Sequence, residues 1–173
     1  MTTLETPRLL LRPPTPDDFE PWAAMMQDEE VTRYLGGAMA RPMVWRSMAT
    51  MIGAWTLRGF SMFSVIEKQS GQWIGRLGPW QPEGWPGPEI GWAIKRSHWG
   101  QGLAFEGAQA CLAYAFGQLG WDQAIHCISP GNERSVRVAE RLGSAYWRSQ
   151  QLPPPLEQHE VMIYGQRRDG LSR

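Results

Sequence analysis

The sequence predicts a single α/β domain built around one mixed sheet. Three observations predict it. Strand-like and helix-like segments follow one another in the order β, α, α, β, β, β, α, β, α, β, β. A helix joins the fourth and fifth strands, making a βαβ unit and so a parallel strand pair in an otherwise antiparallel chain path. The length of 173 residues supports one well-packed core and argues against a second domain. The domain is read as residues 1–173 with a core from about 4 to 167.

Each element has a local reason. Arg8–Arg12 reads as an opening strand. Thr15-Pro16-Asp17-Asp18 reads as a helix start, with Thr as N-cap, Pro at the first position and acids in the first turn. Pro21 predicts a kink or a later start, since an interior proline costs about 3 kcal/mol. Trp45, Met48, Ile52 and Trp55 recur at helical spacing within a helix from about Pro42 to Leu57. Gly59–Glu67 and Gln72–Pro79 read as a hairpin joined by Lys68-Gln69-Ser70-Gly71. Glu89–Lys95 is the next strand. Ala108, Cys111, Leu112, Ala115, Phe116 and Leu119 form the apolar stripe of the following helix, which Gly120 ends. Gln123–Ser129 is a strand, and Asn132 caps a short helix that Gly143 terminates. Ala145–Gln151 and His159–Arg167 close the sheet around Pro153-Pro154-Pro155, and the last six residues are expected to fray.

Composition narrows the function. Apolar residues make up 42% of the chain and charged residues 20%, ordinary values for a globular domain. Seventeen basic residues balance seventeen acidic ones, whereas a phosphate-tracking protein carries a basic excess, so nucleic acid is not the expected partner. Cys111 and Cys127 form no CxxC pair and the three histidines are far apart, so no metal site is expected and both thiols read as free and buried. Leu9-Leu10-Leu11 is too short for a signal-peptide core and no run reaches membrane-spanning length, which reads as a cytoplasmic chain without a membrane partner. Ten tryptophans are unusual. Trp80 and Trp85 stand out because they lie in the Pro/Gly-rich run Pro79–Pro88, where they either line a binding surface or cover a sheet edge.

The most informative stretch is Trp99-Gly100-Gln101-Gly102-Leu103-Ala104, between a strand and an amphipathic helix. Glycines strip side chains from such a turn, so consecutive backbone N–H groups can converge on an anion at the helix N-terminus. A nucleoside triphosphate loop needs Gly-Lys-Ser/Thr, which is absent. A dinucleotide fingerprint needs a third glycine where Phe105 stands.

The strand, this segment, its helix, the next strand and Pro130-Gly131-Asn132-Glu133-Arg134-Ser135 opening another helix together resemble the GNAT acetyltransferase superfamily. The family's Arg/Gln-x-x-Gly-x-Gly/Ala motif maps onto residues 99–104, with Gly102 and Ala104 matching and Trp99 replacing the polar first residue. The opening Leu4–Pro13, Ala104-x-Glu106, Asn132-x-x-Ser135 and Glu140-Arg141-Leu142-Gly143 are similar to the Rim-type branch, typified by enzymes that acetylate ribosomal-protein N-termini. The resemblance covers about Leu4 to Arg167. It implies a GNAT-type mixed, mostly antiparallel sheet flanked by helices, with a splayed strand pair forming the cofactor cleft.

It also implies a chemistry. Acetyl-CoA would lie where the strands ending at Lys95 and Ser129 part, its pantetheine arm pairing with backbone of Trp92 and Ile94. The pyrophosphate would sit on the amides of Gly100, Gln101, Gly102, Leu103 and Ala104, with Asn132 and Ser135 holding the pantetheine end. No metal is implied. An amine with a pKa near 10 must lose a proton before it attacks the thioester. Glu89 matches the family's position for that base, with Glu83 as second choice. Relatives often place a tyrosine where Ala139 stands, so Ser135, Tyr146 or a water is left to protonate the thiolate, or positioning alone suffices. Trp80 and Trp85 would border the acceptor, a protein N-terminus or a small amine. A homodimer stays open. The alternative is an acetyl-CoA-binding sensor or interaction module with weak catalysis.

Overall fold

Alternation of apolar side chains sets the strands, and their order sets where a ligand can enter. The computed structural model describes residues 2–168, so most of the tail expected to fray lies outside the described residues. The strands are β1 (Leu4–Glu5), β2 (Leu9–Arg12), β3 (Phe63–Glu67), β4 (Trp73–Trp80), β5 (Glu89–Ile94), β6 (Gln123–Ile128), β7 (Ala145–Gln151) and β8 (Glu160–Arg167). They form one eight-stranded sheet in the order β1-β2-β3-β4-β5-β6-β8-β7. Every neighbouring pair is antiparallel except β5 and β6, whose parallel pairing has a single register point, Glu89 opposite Ile125.

Helices cover both faces. The helix α4 (Leu103–Gly117) lays Leu103, Ala108, Cys111, Leu112 and Ala115 on Leu9, Leu11, Ile74, Leu77 and Ile90. The opposite face carries α1 (Phe19–Gln27) and α3 (Arg41–Arg58), whose Trp22, Met26, Val44, Met48 and Met51 pack with Trp73 and Ala93. The short helices α2 (Glu29–Thr32) and α5 (Glu133–Arg141) complete the set. This is a single-domain α/β fold with an open, mostly antiparallel sheet.

The structure decides the Pro21 alternatives and departs from the sequence expectation at α3 and its end. Of the kink or later start expected at Pro21, the later start is what the structure has: α1 begins at Phe19 and puts Pro21 in its first turn, where backbone N–H groups have no intrahelical partner. The buried stripe of α3 is Val44, Met48 and Met51, while Trp45 is 61% exposed and Ile52 faces outward too. Gly59, at φ 76°, caps α3 and so does not belong to β3.

One buried polar group ties the α1 side to the sheet. Asp18 accepts from Arg12 Nη1 and Nη2, both at 2.7 Å, from Thr15 N–H at 2.8 Å and from the Ser64 hydroxyl at 2.7 Å. Burial pushes its carboxyl up, but those donors outweigh it and the net displacement is downward. Asp18→Ala would strand the Arg12 guanidinium and is expected to cost roughly 3 kcal/mol in urea unfolding. Because the native carboxyl titrates below its free value of 3.8, this stabilisation is present above that pH and disappears as the pH falls further. An Asp18→Ala variant as stable as the native chain at pH 7 would contradict the role given to this network.

Candidate active site

The parallel pair β5/β6 opens after one rung. Ile125 N–H donates to Pro88 O at 2.9 Å. The next rung of a parallel ladder would run from Cys127 N–H to Ile90 O. It is replaced by two side-chain bonds. Cys127 N–H donates to Glu89 Oε1 at 3.1 Å, and Ile90 O accepts from His126 Nδ1 at 2.7 Å. Beyond this point β5 and β6 have no register partners, and their C-terminal ends diverge.

A carbonyl oxygen only accepts, so His126 Nδ1 carries a proton and Nε2 accepts, at 3.0 Å, from the Ser144 hydroxyl. Burial lowers the His126 pKa from 6.5 to about 4, partly opposed by the Ile90 bond, which keeps the ring neutral. Sequence reading gave His126 no role, since a lone histidine in a strand carries no spacing signal.

The Glu89 side chain is 6% exposed and lies on the α1/α3 face of the sheet. Its second oxygen accepts from Trp85 Nε1 at 2.6 Å. Burial raises its pKa, against the pull of the Cys127 and Trp85 donors and the Arg76 charge. Trp80 stands opposite Glu89 in the β4/β5 register. Gly91, two residues on, lets Met62 close over the strand, for a Cβ there would stand 2.7 Å from Met62 Cε. Arg76 on β4 shares this face, its guanidinium 5.9 Å from the Trp22 ring centre and its Nε buried without a partner. Burial pulls its pKa down to about 10, against the opposing effect of Glu89. Neither Arg76 nor the Trp85–Glu89 bond was anticipated from sequence.

Side chains pointing the other way meet α5. Trp92 Nε1 donates to Ser135 Oγ at 3.2 Å, and the Trp92 ring lies 4.9 Å from that of His126. Asn132 Oδ1 caps α5 by accepting from Ser135 N–H at 3.3 Å, which leaves its amide nitrogen free to donate elsewhere. Backbone groups of Ile90, Trp92 and Ile94 share one edge of β5 by the two-residue period. Ile94 O is already taken by Trp99 Nε1 at 2.8 Å, so on this edge Trp92 and the Ile94 N–H remain. That bond explains the tryptophan at the first motif position: it moors the loop to β5.

The glycine loop is a bare cradle. Gly100 and Gly102 have φ of 75° and 76°, a region where L-residues are strained. No side chain caps α4, and among the described residues the amides of 100–104 have no backbone acceptor. A Cβ at Gly100 would meet nothing within 4 Å. Arg8 stands beside the loop, its Nη1 donating to Gln101 O at 2.9 Å. Its Nε and backbone N–H both reach Glu106, as does the Thr6 hydroxyl. The N-terminal signature and Ala104-x-Glu106 are thus one interaction that anchors the loop. Arg134 covers Trp99 at 4.5 Å. Such a donor-rich, cation-flanked turn fits a diphosphate.

Other singled-out residues fall elsewhere. Glu83 has a 99% exposed side chain and pairs with Arg58 at the surface. Tyr146 is 53% exposed on β7, the sheet edge, with β8 between it and β6. Ala139 is fully buried. Cys111 and Cys127 are free, and burial pushes both thiols up, away from the reactive thiolate form. Among the described residues no group of His, Cys, Asp and Glu could hold a metal ion, and no helix is long and apolar enough to cross a membrane.

Residues 8–145 match the family described as Acetyltransferase (GNAT) domain. The chain belongs to the GNAT acetyltransferase family. It is 32% identical over 145 residues to the uncharacterized N-acetyltransferase p20 of Bacillus licheniformis, covering 82% of each chain. A 40% identical match over 90 residues to YkkB of Bacillus subtilis covers 51% of this chain and only about half, 52%, of that protein. The crystal structure of an acetyltransferase from Agrobacterium tumefaciens superposes with a TM-score of 0.84 at 28% identity, over 97% of this chain and 95% of the other. The GNAT chain is therefore an acetyltransferase, and acetyl-CoA is the family's acyl donor.

His126→Leu removes the group that satisfies Ile90 O, and a buried acceptor left alone costs about 1–3 kcal/mol. The same ring gives a pH signature. Below 6.5 the unfolded chain binds a proton that the native ring refuses until about pH 4, so native stability falls across that window. His126→Leu is expected to be less stable at pH 8 and to show a shallower decline between pH 6.5 and 4. Parallel stability–pH curves for the two proteins would contradict this assignment.

Proposed function

We propose that this enzyme moves an acetyl group from acetyl-CoA directly to a primary amine, on a protein N-terminus or a small molecule, with Glu89 as the proton acceptor. The observation that carries the reading is the carboxylate of Glu89 buried at the branch point of a splayed strand pair, with a loop of partnerless amides beyond the far end of β5. Burial raises the Glu89 carboxyl above its ordinary range, which makes its carboxylate a stronger base toward an amine's proton than an exposed one.

The loop of residues 100–104 would hold the pyrophosphate through its amides, and the α4 N-terminus adds a favourable dipole. The Trp92 backbone and the Ile94 N–H would pair with the pantetheine amides, and the free Asn132 amide nitrogen would donate at the same arm. The Ser135 hydroxyl accepts from Trp92 and keeps its own hydrogen, so it is the group left to protonate or steady the departing thiolate. Much of the rate would come from holding amine and thioester in line. Trp80 and the ring of Trp85 border the acceptor side. The Thr6–Arg8–Glu106 clamp supports the Rim-type branch, because it joins two segments of that resemblance in one contact.

Glu89→Gln is expected to lower turnover at neutral pH by about a hundredfold and to recover partly at high pH, where free amine is abundant. A pH-independent and small effect would remove Glu89 from the reaction. Gly102→Glu, which sets a carboxylate against the cradle at a φ that disfavours any side chain, is expected to raise the KM for acetyl-CoA tenfold or more. An unchanged KM would separate the cradle from the donor. Mass spectrometry of products from a mixed peptide and amine library with acetyl-CoA tests the acceptor class.

A further inference from the structure

The indole of Trp85 offers one hydrogen-bond donor and no acceptor, and that donor is engaged by Glu89. At 2.6 Å from Nε1 to Oε2 the contact is short, as charge-assisted bonds are. Cys127 N–H takes the other oxygen at 3.1 Å. The two donors come from different segments, the loop of residues 81–88 and β6, so together they fix how the carboxylate is turned.

The loop is shaped to deliver that N–H. Trp85 N–H closes a turn onto Pro82 O at 3.2 Å, and Gly84 takes the positive φ of 74° that reverses the chain. Gly87 then runs close against Ile125, with 3.3 Å from its would-be Cβ to Cδ1, which seats the loop on β6.

We propose that Trp85 is a positioning residue for the reaction, orienting the Glu89 carboxylate through its indole N–H. This rests on Glu89 being the proton acceptor. An ionised carboxylate is the stronger acceptor, so the indole bond favours the form that can take a proton from the amine. The other charged or titratable groups acting on Glu89 are Arg76 on β4 and the Cys127 thiol on β6. Trp22, Met26, Val44, Met48 and Met51 are the helical hydrophobic residues packed over this face, and Glu83 and Arg58 pair at the surface. Removing the indole N–H therefore takes away the one donor that the loop of residues 81–88 supplies and leaves the carboxylate to the Cys127 groups and the Arg76 charge.

The test is Trp85→Phe, assayed for kcat/KM against pH with acetyl-CoA saturating. Activity rises with pH as the base loses its proton, and this limb is expected to move upward by about one pH unit, a tenfold loss below it. The KM for acetyl-CoA stays within about twofold. In a Glu89→Gln background Trp85→Phe is expected to leave the pH profile where it is. Trp85→Leu should shift the limb equally, since both variants lack the N–H. An unmoved limb, or an acceptor KM that rises equally in both backgrounds, would overturn the proposal and leave Trp85 as a wall of the acceptor pocket. A carboxyl NMR titration of Glu89 needs no turnover. An upward midpoint shift of about one unit in Trp85→Phe supports the coupling even if Glu89→Gln shows the base to lie elsewhere, and an unshifted midpoint rejects it.

Discussion

One absent rung between β5 and β6 organises this molecule. Two adjacent parallel strands ordinarily continue pairing, because each unpaired, buried N–H or C=O costs about 1–3 kcal/mol. Here the donor and acceptor of the next rung are each satisfied by a side chain instead. Glu89 takes the Cys127 N–H, and His126 takes the Ile90 carbonyl. The strands can then separate with their polar groups satisfied at the branch point, and the opening is a stable part of the fold and not a frayed end.

Other features follow from that branch point. The two groups that hold the strands apart are buried, which raises Glu89 and lowers His126 away from their ordinary titration ranges. They point to opposite faces of the sheet. Glu89 faces the α1/α3 layer with Trp80, Trp85, Met62 and Arg76, whereas His126 backs onto Trp92 and so onto Ser135 of α5. In the proposed reading, the acceptor amine meets Glu89 on the first face and the donor arm runs along the second. The α4 cradle lies where β5 ends, held by Trp99 to Ile94 and by Arg8 to Gln101 and Glu106.

The architecture was legible in sequence because it rests on local signals. Periodicity and turn residues located the major helices and all strands but the two-residue β1, and the βαβ reading foretold the parallel pair. Two rules competed at Pro21, where an early proline looks like a breaker until the helix start is known, and only the structure chooses the later start over the kink. The α3 face slipped for another reason: the sequence offers Trp, Ile and Met at overlapping helical spacings, and only packing against Trp22 and Trp73 selects Val44, Met48 and Met51. The glycine turn before α4 was legible since glycine at positive φ has few substitutes. The branch point was not. His126, Arg76 and the Trp85 N–H act across the sheet or out of a loop, at positions that no linear spacing records, and their roles depend on which backbone group lacks its partner.

A crystal structure of the enzyme with bound acetyl-CoA tests the central claim most directly. The account predicts the diphosphate within hydrogen-bonding distance of the amides of 100–104, the pantetheine along Trp92 between β5 and β6, and the thioester on the side of the opening that Glu89 approaches. A cofactor bound outside this opening, or β5 and β6 zipped together beyond Ile90 in the complex, would contradict it.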